Sequence, residues 1–236
     1  MASTNIDLLE LAARHLEEII DEVAFVGGST VALLITDEAA PEVRPTVDVD
    51  LIVEVGSLND YHNLGVRLRS KGFNEDSSDG APLCRYRGHG FIVDVVPTDP
   101  KILGFSNRWY VSALRQAQKK ILPSGNSIKV ISAEYFIATK LEAFSGRGHG
   151  DYLASHDLED IMAVIDGRPE IIGELNTADE LLRSYVRERI QQLLEDPDFL
   201  EALPGFLPGD GASQQRLPGL MIRLKSLGSY DLGDSG

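Results

Sequence analysis

"TVDVDLIVEV", Thr46–Val55, decides how the rest of the chain is read. It is rich in β-branched residues and partly alternating, the pattern of a strand. Two aspartates stand one residue apart inside it. On a strand, residues i and i+2 point to the same face, roughly 7 Å apart at Cα. Asp48 and Asp50 therefore share a face, while Val47, Val49 and Leu51 point the other way. Burying paired carboxylates is costly unless a cation compensates them. Mg²⁺ commonly takes one or two protein carboxylates and completes its shell with water and phosphate oxygens. Alone the pair is a weak signal, since the same spacing arises by chance on solvated strands, although the apolar flanks here fit a solvated edge less well.

Upstream, "VAFV" is a short apolar run that ends at Gly27-Gly28, and Ser29 opens a helix, "STVALLIT". Backbone N–H groups at such a turn bind phosphate, and glycine lets the phosphate approach closely. Gly27, Gly28 and Ser29 are thus nucleotide-binding candidates, although an ordinary turn and N-cap would read the same. Downstream, "PLCRYRGHGFIVDVVPTDP" reads as two strands joined at Gly88-His89-Gly90. Asp94 is a third acid, set among Ile92, Val93, Val95 and Val96. If its strand lies beside the Asp48/Asp50 strand, the three carboxylates line one spot. They could then hold two metal ions, with Asp94 as base toward an attacking hydroxyl. The alternative is a buried aspartate that caps a nearby turn. Arg85 and Arg87 alternate on one strand face, placed equally to neutralise phosphate or to pair with aspartates.

Around this core, "NIDLLELAARHLEEII" has apolar residues at helical spacing, and "SLNDYHNLGVRLRSKGF" is a helix with Ser57 as N-cap and Gly72 as stop. "SIKVISAEYFIATKLEAF" is a short strand entering a helix behind Ser132. From there the chain reads as helical: "SHDLEDIMAVI", "TADELLRSYVRERIQQLLE" and "GASQQRLPGLMIRLKSLG", the last kinked or interrupted by Pro218. "LPGFLPGDG" reads as a linker. The expected fold class is α+β. Residues 1–125 form a small mixed-sheet core with packed helices, and residues 126–236 a helical region that completes the site.

The 236 residues, 25% of them charged, suit an ordinary globular protein. No apolar run reaches membrane-spanning length, and the acidic N-terminus is unlike a signal peptide. One cysteine, Cys84, fits core packing in a reducing compartment, so a cytoplasmic location is expected. The five histidines show no metal spacing. Tyr152 and Trp109 read as core residues before base-stacking ones. The net charge of −15 argues against nucleic acid, but residues 101–150 carry eight basic and two acidic side chains. A local basic surface on an acidic protein suits a polyanion; solvated helix faces are the plainer reading.

The combination of Gly-Gly-Ser at a strand–helix turn, Asp-x-Asp on the next strand and a later strand aspartate resembles the DNA polymerase beta-like nucleotidyltransferase superfamily. The likeness runs from about Phe25 to Pro97. Within it, "RPTVDVDL", Arg44–Leu51, is similar to the R-x-T-x-D-x-D block of AbiEii-type toxins of bacterial type IV toxin–antitoxin systems. "KLEAFSGRGHGDYLASHDLEDI" resembles that family's downstream motif, with Lys140, Arg147, Asp157 and Asp160 at the matching positions. His156 departs from the arginine that the family places before the first closing aspartate. Asp151 competes for the same part.

The resemblance implies an Mg²⁺-dependent nucleotidyltransferase acting on a nucleoside triphosphate. Lys140 would contact the triphosphate, and Asp157 would orient Lys140 or the nucleotide. It also implies a toxin with a cognate antitoxin protein, and a tRNA 3′ end as acceptor, which the basic window suits. Two alternatives stand beside it: an aminoglycoside-type small-molecule nucleotidyltransferase, and a catalytically silent nucleotide-binding module. No membrane partner is expected.

Overall fold

The computed structural model describes residues 4–147 and 152–229, without the side chain of Arg147. The chain folds into two compact units, one built from Met1–Leu33 and Arg44–Ser132, the other from Leu34–Val43 and Ala133–Gly236.

The first unit holds seven strands and the helices around them. Helix α1 is Asn5–His15, opened by a capping box in which Thr4 and Asp7 exchange side-chain-to-backbone hydrogen bonds. It stops at His15, although apolar periodicity continues to Ile20. Strand β1 is Val23–Val26, buried at every position. A 3₁₀ turn, Gly28–Thr30, leads into the single turn α2, Val31–Leu34. Strand β2 is Asp48–Val53, and helix α3 is Leu58–Ser70 with Ser57 accepting from the Asp60 N–H. Gly72 follows at φ +86°, as a helix stop requires.

Strands β3 (Asn74–Glu75), β4 (Arg85–Gly88) and β5 (Phe91–Pro97) come next. Two short helices, α4 (Pro100–Leu103) and α5 (Tyr110–Arg115), precede β6 (Gln118–Ile121) and β7 (Ser127–Val130). The sheet runs in the order β3-β4-β5-β2-β1-β7-β6. β2–β5 and β1–β7 are parallel and the remaining pairs antiparallel, so the sheet is mixed and the fold α+β. Its core is Phe25, Val49, Leu51, Ile52, Val93 and Val95, all fully buried.

The second unit is helical: α6 (Ala133–Arg147), α7 (His156–Gly167), α8 (Ile171–Thr177), α9 (Glu180–Glu195), α10 (Pro197–Ala202), α11 (Gly211–Gln214) and α12 (Leu217–Gly228). Pro218 lies in the first turn of α12, where its missing N–H costs nothing, so it starts that helix and does not bend it. The Pro/Gly stretch expected to be a linker is a packed 3₁₀ turn, Leu203–Phe206, with Leu203 and Leu207 buried.

Residues 34–43 cross this unit as a strap. The Thr36 and Asp37 N–H groups both donate to the Gly167 carbonyl, each at 2.9 Å. Arg216 bridges Asp37 and Asp166, each at 2.6 Å, and Arg223 adds a longer contact to Asp166. Asp166 is 2% exposed, and such a buried carboxylate is tolerated only when paired.

Candidate active site

The acids of the first unit stand in one row across neighbouring strands. Asp50 on β2 is in parallel register with Asp94 on β5. Asp94 is in antiparallel register with Arg85 on β4. On its other side Asp50 is in register with Val26, the last residue before the glycine turn. Asp48 lies two residues earlier on β2 and shares the face. Asp48 and Asp50 are half-buried, whereas Asp94 is 7% exposed.

The structure resolves the choice that the sequence left open for the two arginines. Arg85 forks onto Asp94, Nε to Oδ1 at 2.8 Å and Nη2 to Oδ2 at 2.6 Å. Arg87 pairs with Asp76 at 2.6 Å. Hydrogen bonding to Asp94 pushes the Arg85 guanidinium pKa up, against the cost of burial, and the charges of Asp94 and Asp48 add to the rise. Asp94 thus spends both carboxylate oxygens on a protein cation. Among the described residues, no three His, Cys, Asp or Glu side chains are placed to hold a metal ion. Asp94 thus stands in the row in register with Asp50, with both carboxylate oxygens accepting from Arg85.

The glycine turn is shaped around Asp50. Gly27 has φ +73°, and a Cβ built on it would lie 1.9 Å from Asp50 Oδ2. Only glycine meets both demands, the backbone angle and the close approach of the carboxylate. Thr30 closes the turn by donating to the Gly27 carbonyl at 2.8 Å. Ser29 is fully buried, and its hydroxyl has no hydrogen-bond partner. Such an orphan is uncommon and costs stability unless a ligand satisfies it. The helix behind this turn is one 3₁₀ turn and one α turn, too short for a sizeable macrodipole. Anion binding here would rest on the glycine amides and the Ser29 hydroxyl.

Two positioning residues escaped the sequence reading. Asn5, 4% exposed, donates to the Arg44 carbonyl at 3.0 Å and accepts from the Thr46 N–H at 3.0 Å. A longer contact at 3.5 Å reaches the Gly28 carbonyl. It clips the glycine turn to the entry of β2. Thr46 in turn hydrogen-bonds Asp48 through its hydroxyl. A buried asparagine one residue after a helix cap was the signal available for the first. Cys84 is buried, its thiol pushed up to about 12 by burial and by the charge of Asp94, which leaves it an inert core residue.

A second constellation lies within the helical unit. Lys140 on α6 reaches Asp157 Oδ1 at 3.0 Å and Asp160 Oδ2 at 2.7 Å, both on α7. All three side chains are nearly buried, and Ser155 caps α7 by accepting from the Leu158 N–H. The pair of acids three residues apart on one helix face explains the cluster. His156 is exposed and contacts Glu159 at 3.3 Å. Asp151 and His149 lie outside the described residues, as does the Arg147 side chain.

Tyr152 is half-buried and packs against Phe144 and Phe199, its hydroxyl on Asp196. The expected basic surface is reduced by Lys140, which is consumed by its aspartates. Lys119 and Lys129 remain directly opposite each other across β6 and β7. No helix among the described residues is long and apolar enough to cross a membrane.

No protein-family model and no curated protein sequence matches the chain. Among solved structures, an antigenic nucleotidyltransferase-like protein from Paracoccidioides brasiliensis is similar at 18% identity and a TM-score of 0.47, covering 95% of this chain and 94% of that one. JHP933 from Helicobacter pylori is similar at 12% identity and a TM-score of 0.45, covering 95% and 91%. The functional reading therefore rests on the side chains themselves.

Proposed function

We propose that the chain is a nucleotidyltransferase. The observation that carries this reading is the glycine turn wrapped on Asp50, with the buried Ser29 hydroxyl left unsatisfied beside it. A turn with this vacancy for an acceptor or donor fits a phosphate, and the Asp48/Asp50 pair beside it fits a divalent cation such as Mg²⁺. When bound, that ion would neutralise phosphate charge during transfer. The Gly27 and Gly28 backbone and the Ser29 hydroxyl hold the phosphates of a nucleoside triphosphate. An acceptor hydroxyl oxygen forms a bond to the α-phosphorus. The bond from that phosphorus to the bridging oxygen breaks, pyrophosphate leaves, and the hydroxyl proton passes to water.

An RNA acceptor, with a tRNA 3′ end first in order, is supported by Lys119 facing Lys129 across β6–β7. Like charges directly opposite on a sheet destabilise it, and a phosphate between them removes the cost. A toxin role with a cognate antitoxin rests on the sequence resemblance alone.

The test is incubation of the protein with Mg²⁺, each α-³²P-labelled nucleoside triphosphate in turn, and pooled bacterial tRNA. The expected result is label in tRNA with one nucleotide, lost in Asp48→Asn and Asp50→Asn. Label on an aminoglycoside panel and not on RNA would transfer the reading to small-molecule acceptors. Nucleotide binding without any transfer would leave only a silent module.

A further inference from the structure

We propose that Arg87 binds the acceptor. Its guanidinium holds a backbone phosphate of a single RNA strand whose terminal hydroxyl lies at Asp48 and Asp50. This rests on the nucleotidyltransferase reading for the reaction, but the observations that carry it are separate.

Strand register places Arg87. On β4 it is paired with Ile92 on β5, and Ile92 is paired with Asp48 on β2. That row lies two residues along from the row of Arg85, Asp94 and Asp50. Residues two apart on a strand share a face, so both rows lie on one face of the sheet. The residues between them, Tyr86, Val93 and Val49, point the other way and are buried. Neighbouring strands are about 4.8 Å apart, so Arg87 stands roughly 10 Å from Asp48 at Cα, with Ile92 between them.

Arg87 is also held in a way that leaves donors over. Its Nε donates to Asp76 Oδ2 at 2.6 Å. Asp76 is itself fixed, because its other oxygen accepts from the Ser78 N–H at 3.1 Å and from the Ser78 hydroxyl at 2.6 Å. The guanidinium is thus oriented through one nitrogen. Its two Nη groups have no partner among the described residues, and the side chain is 54% exposed. A planar cation oriented in advance, with donors to spare, suits a phosphate.

Beside Arg87 opens a cleft of about 470 Å³, walled by Val47, Phe91, Ile92 and the His89 end of the hairpin. Val47 is apolar and 71% exposed. A strand running from Arg87 to Asp48 rests a sugar or base on Val47 and Ile92 and a phosphate on the cation. A polycationic acceptor such as an aminoglycoside meets a like charge at the same place, which disfavours it.

The experiment measures binding to the full chain with two probes and needs no turnover. One is a short fluorescein-labelled single-stranded RNA, followed by anisotropy over a series of salt concentrations. The other is the Mn²⁺ complex of each nucleoside triphosphate, followed by calorimetry. Arg87→Gln is expected to weaken RNA binding about tenfold, to lower the salt slope by roughly 0.7, the share of one phosphate contact, and to leave nucleotide affinity within about twofold. Arg87→Lys keeps the charge but not the planar fork, and is expected to keep the slope while losing about threefold in affinity.

Arg87→Gln also leaves Asp76, whose side chain is 4% exposed, without its cation. The double variant Arg87→Gln/Asp76→Asn removes the pair together at constant net charge, with circular dichroism as the check on its fold. It is expected to lose RNA binding as the single variant does. Wild-type affinity in the double variant would reduce the effect to overall charge and overturn the inference. Unchanged RNA affinity and slope in Arg87→Gln, or a wild type that binds nucleotide and no RNA, would overturn it and leave the nucleotidyltransferase reading standing. A wild type that binds none of the nucleotides would overturn that reading, and the acceptor role with it.

Discussion

Gly27 and Ser29 make opposite predictions although only Gly28 separates them. Gly27→Ala places a methyl group in the space of the Asp50 carboxylate and forces a residue with a side chain to φ +73°. Strain of this kind costs about 1–3 kcal/mol. The thermal midpoint should fall and Mn²⁺ binding should weaken with it. Ser29→Ala removes a buried hydroxyl that has no partner. Deleting an unsatisfied polar group is close to neutral or stabilising, by up to about 1 kcal/mol. The thermal midpoint should hold or rise while KM for the nucleotide increases. A lower midpoint in Ser29→Ala would show that the hydroxyl already has a structural partner, against its proposed phosphate role.

Asp48, Asp50 and Asp94 were legible as residues because a strand has period two and each sits among β-branched neighbours. Their common row needed only the β2 and β5 strands to be adjacent, as they are. What paired with Asp94 was not legible. Two arginines sat one residue apart on β4, and their partners follow from a register across a turn, which no local pattern encodes. Asn5 was missed for the same reason, since its contacts lie 39 and 41 residues away.

At the scale of elements, the hairpin tip meets the end of α1. The rings of His15 and His89 stack at 3.6 Å between centroids, and His89 also contacts the Lys71 carbonyl at 2.6 Å. Burial, then the nearby His89 and Arg14 charges, lowers the His15 pKa. The unfolded chain therefore binds protons here more readily than the folded one. The contribution of His15 to stability is present above its unfolded pKa of about 6.5 and is lost as pH falls through the lower folded value. Thermal midpoints measured from about pH 7.5 down to about pH 5.5 should fall, and His15→Gln should remove part of that fall. An unchanged slope in His15→Gln would sink the assignment.

The Lys140 cluster gives a second element-scale outcome. Lys140→Met leaves Asp157 and Asp160 buried without their shared cation, at a cost of about 3–5 kcal/mol. Urea unfolding of the full chain should show it. Short or polar elements were the ones the sequence hid. β6, "QKKI", carries no alternation, and β3 is two residues long. The helix over 5–15, the β4–β5 hairpin and the Ser57 cap were legible because each carries its own local signal.

For the molecule as a whole, the division at residue 125 expected from the sequence treats each unit as continuous. The 34–43 strap belongs with the helical unit instead, and "ITDEAAPEV" carries no mark of that. Its anchor is Arg216, which reaches both Asp37 and Asp166. Arg216→Ala should destabilise the chain by about 3 kcal/mol. It should also raise amide exchange first at Thr36 and Asp37, whose N–H groups share the Gly167 carbonyl.

The strap also imposes a timetable. Asp37 and Arg216 are 179 residues apart in sequence, and Thr36 and Glu170 are 134 apart. At about 5–20 residues per second of translation, Asp37 waits roughly 9–36 seconds on the ribosome for its arginine to be made. The site-bearing sheet can be complete in the nascent chain before the segment leaving it has anything to hold.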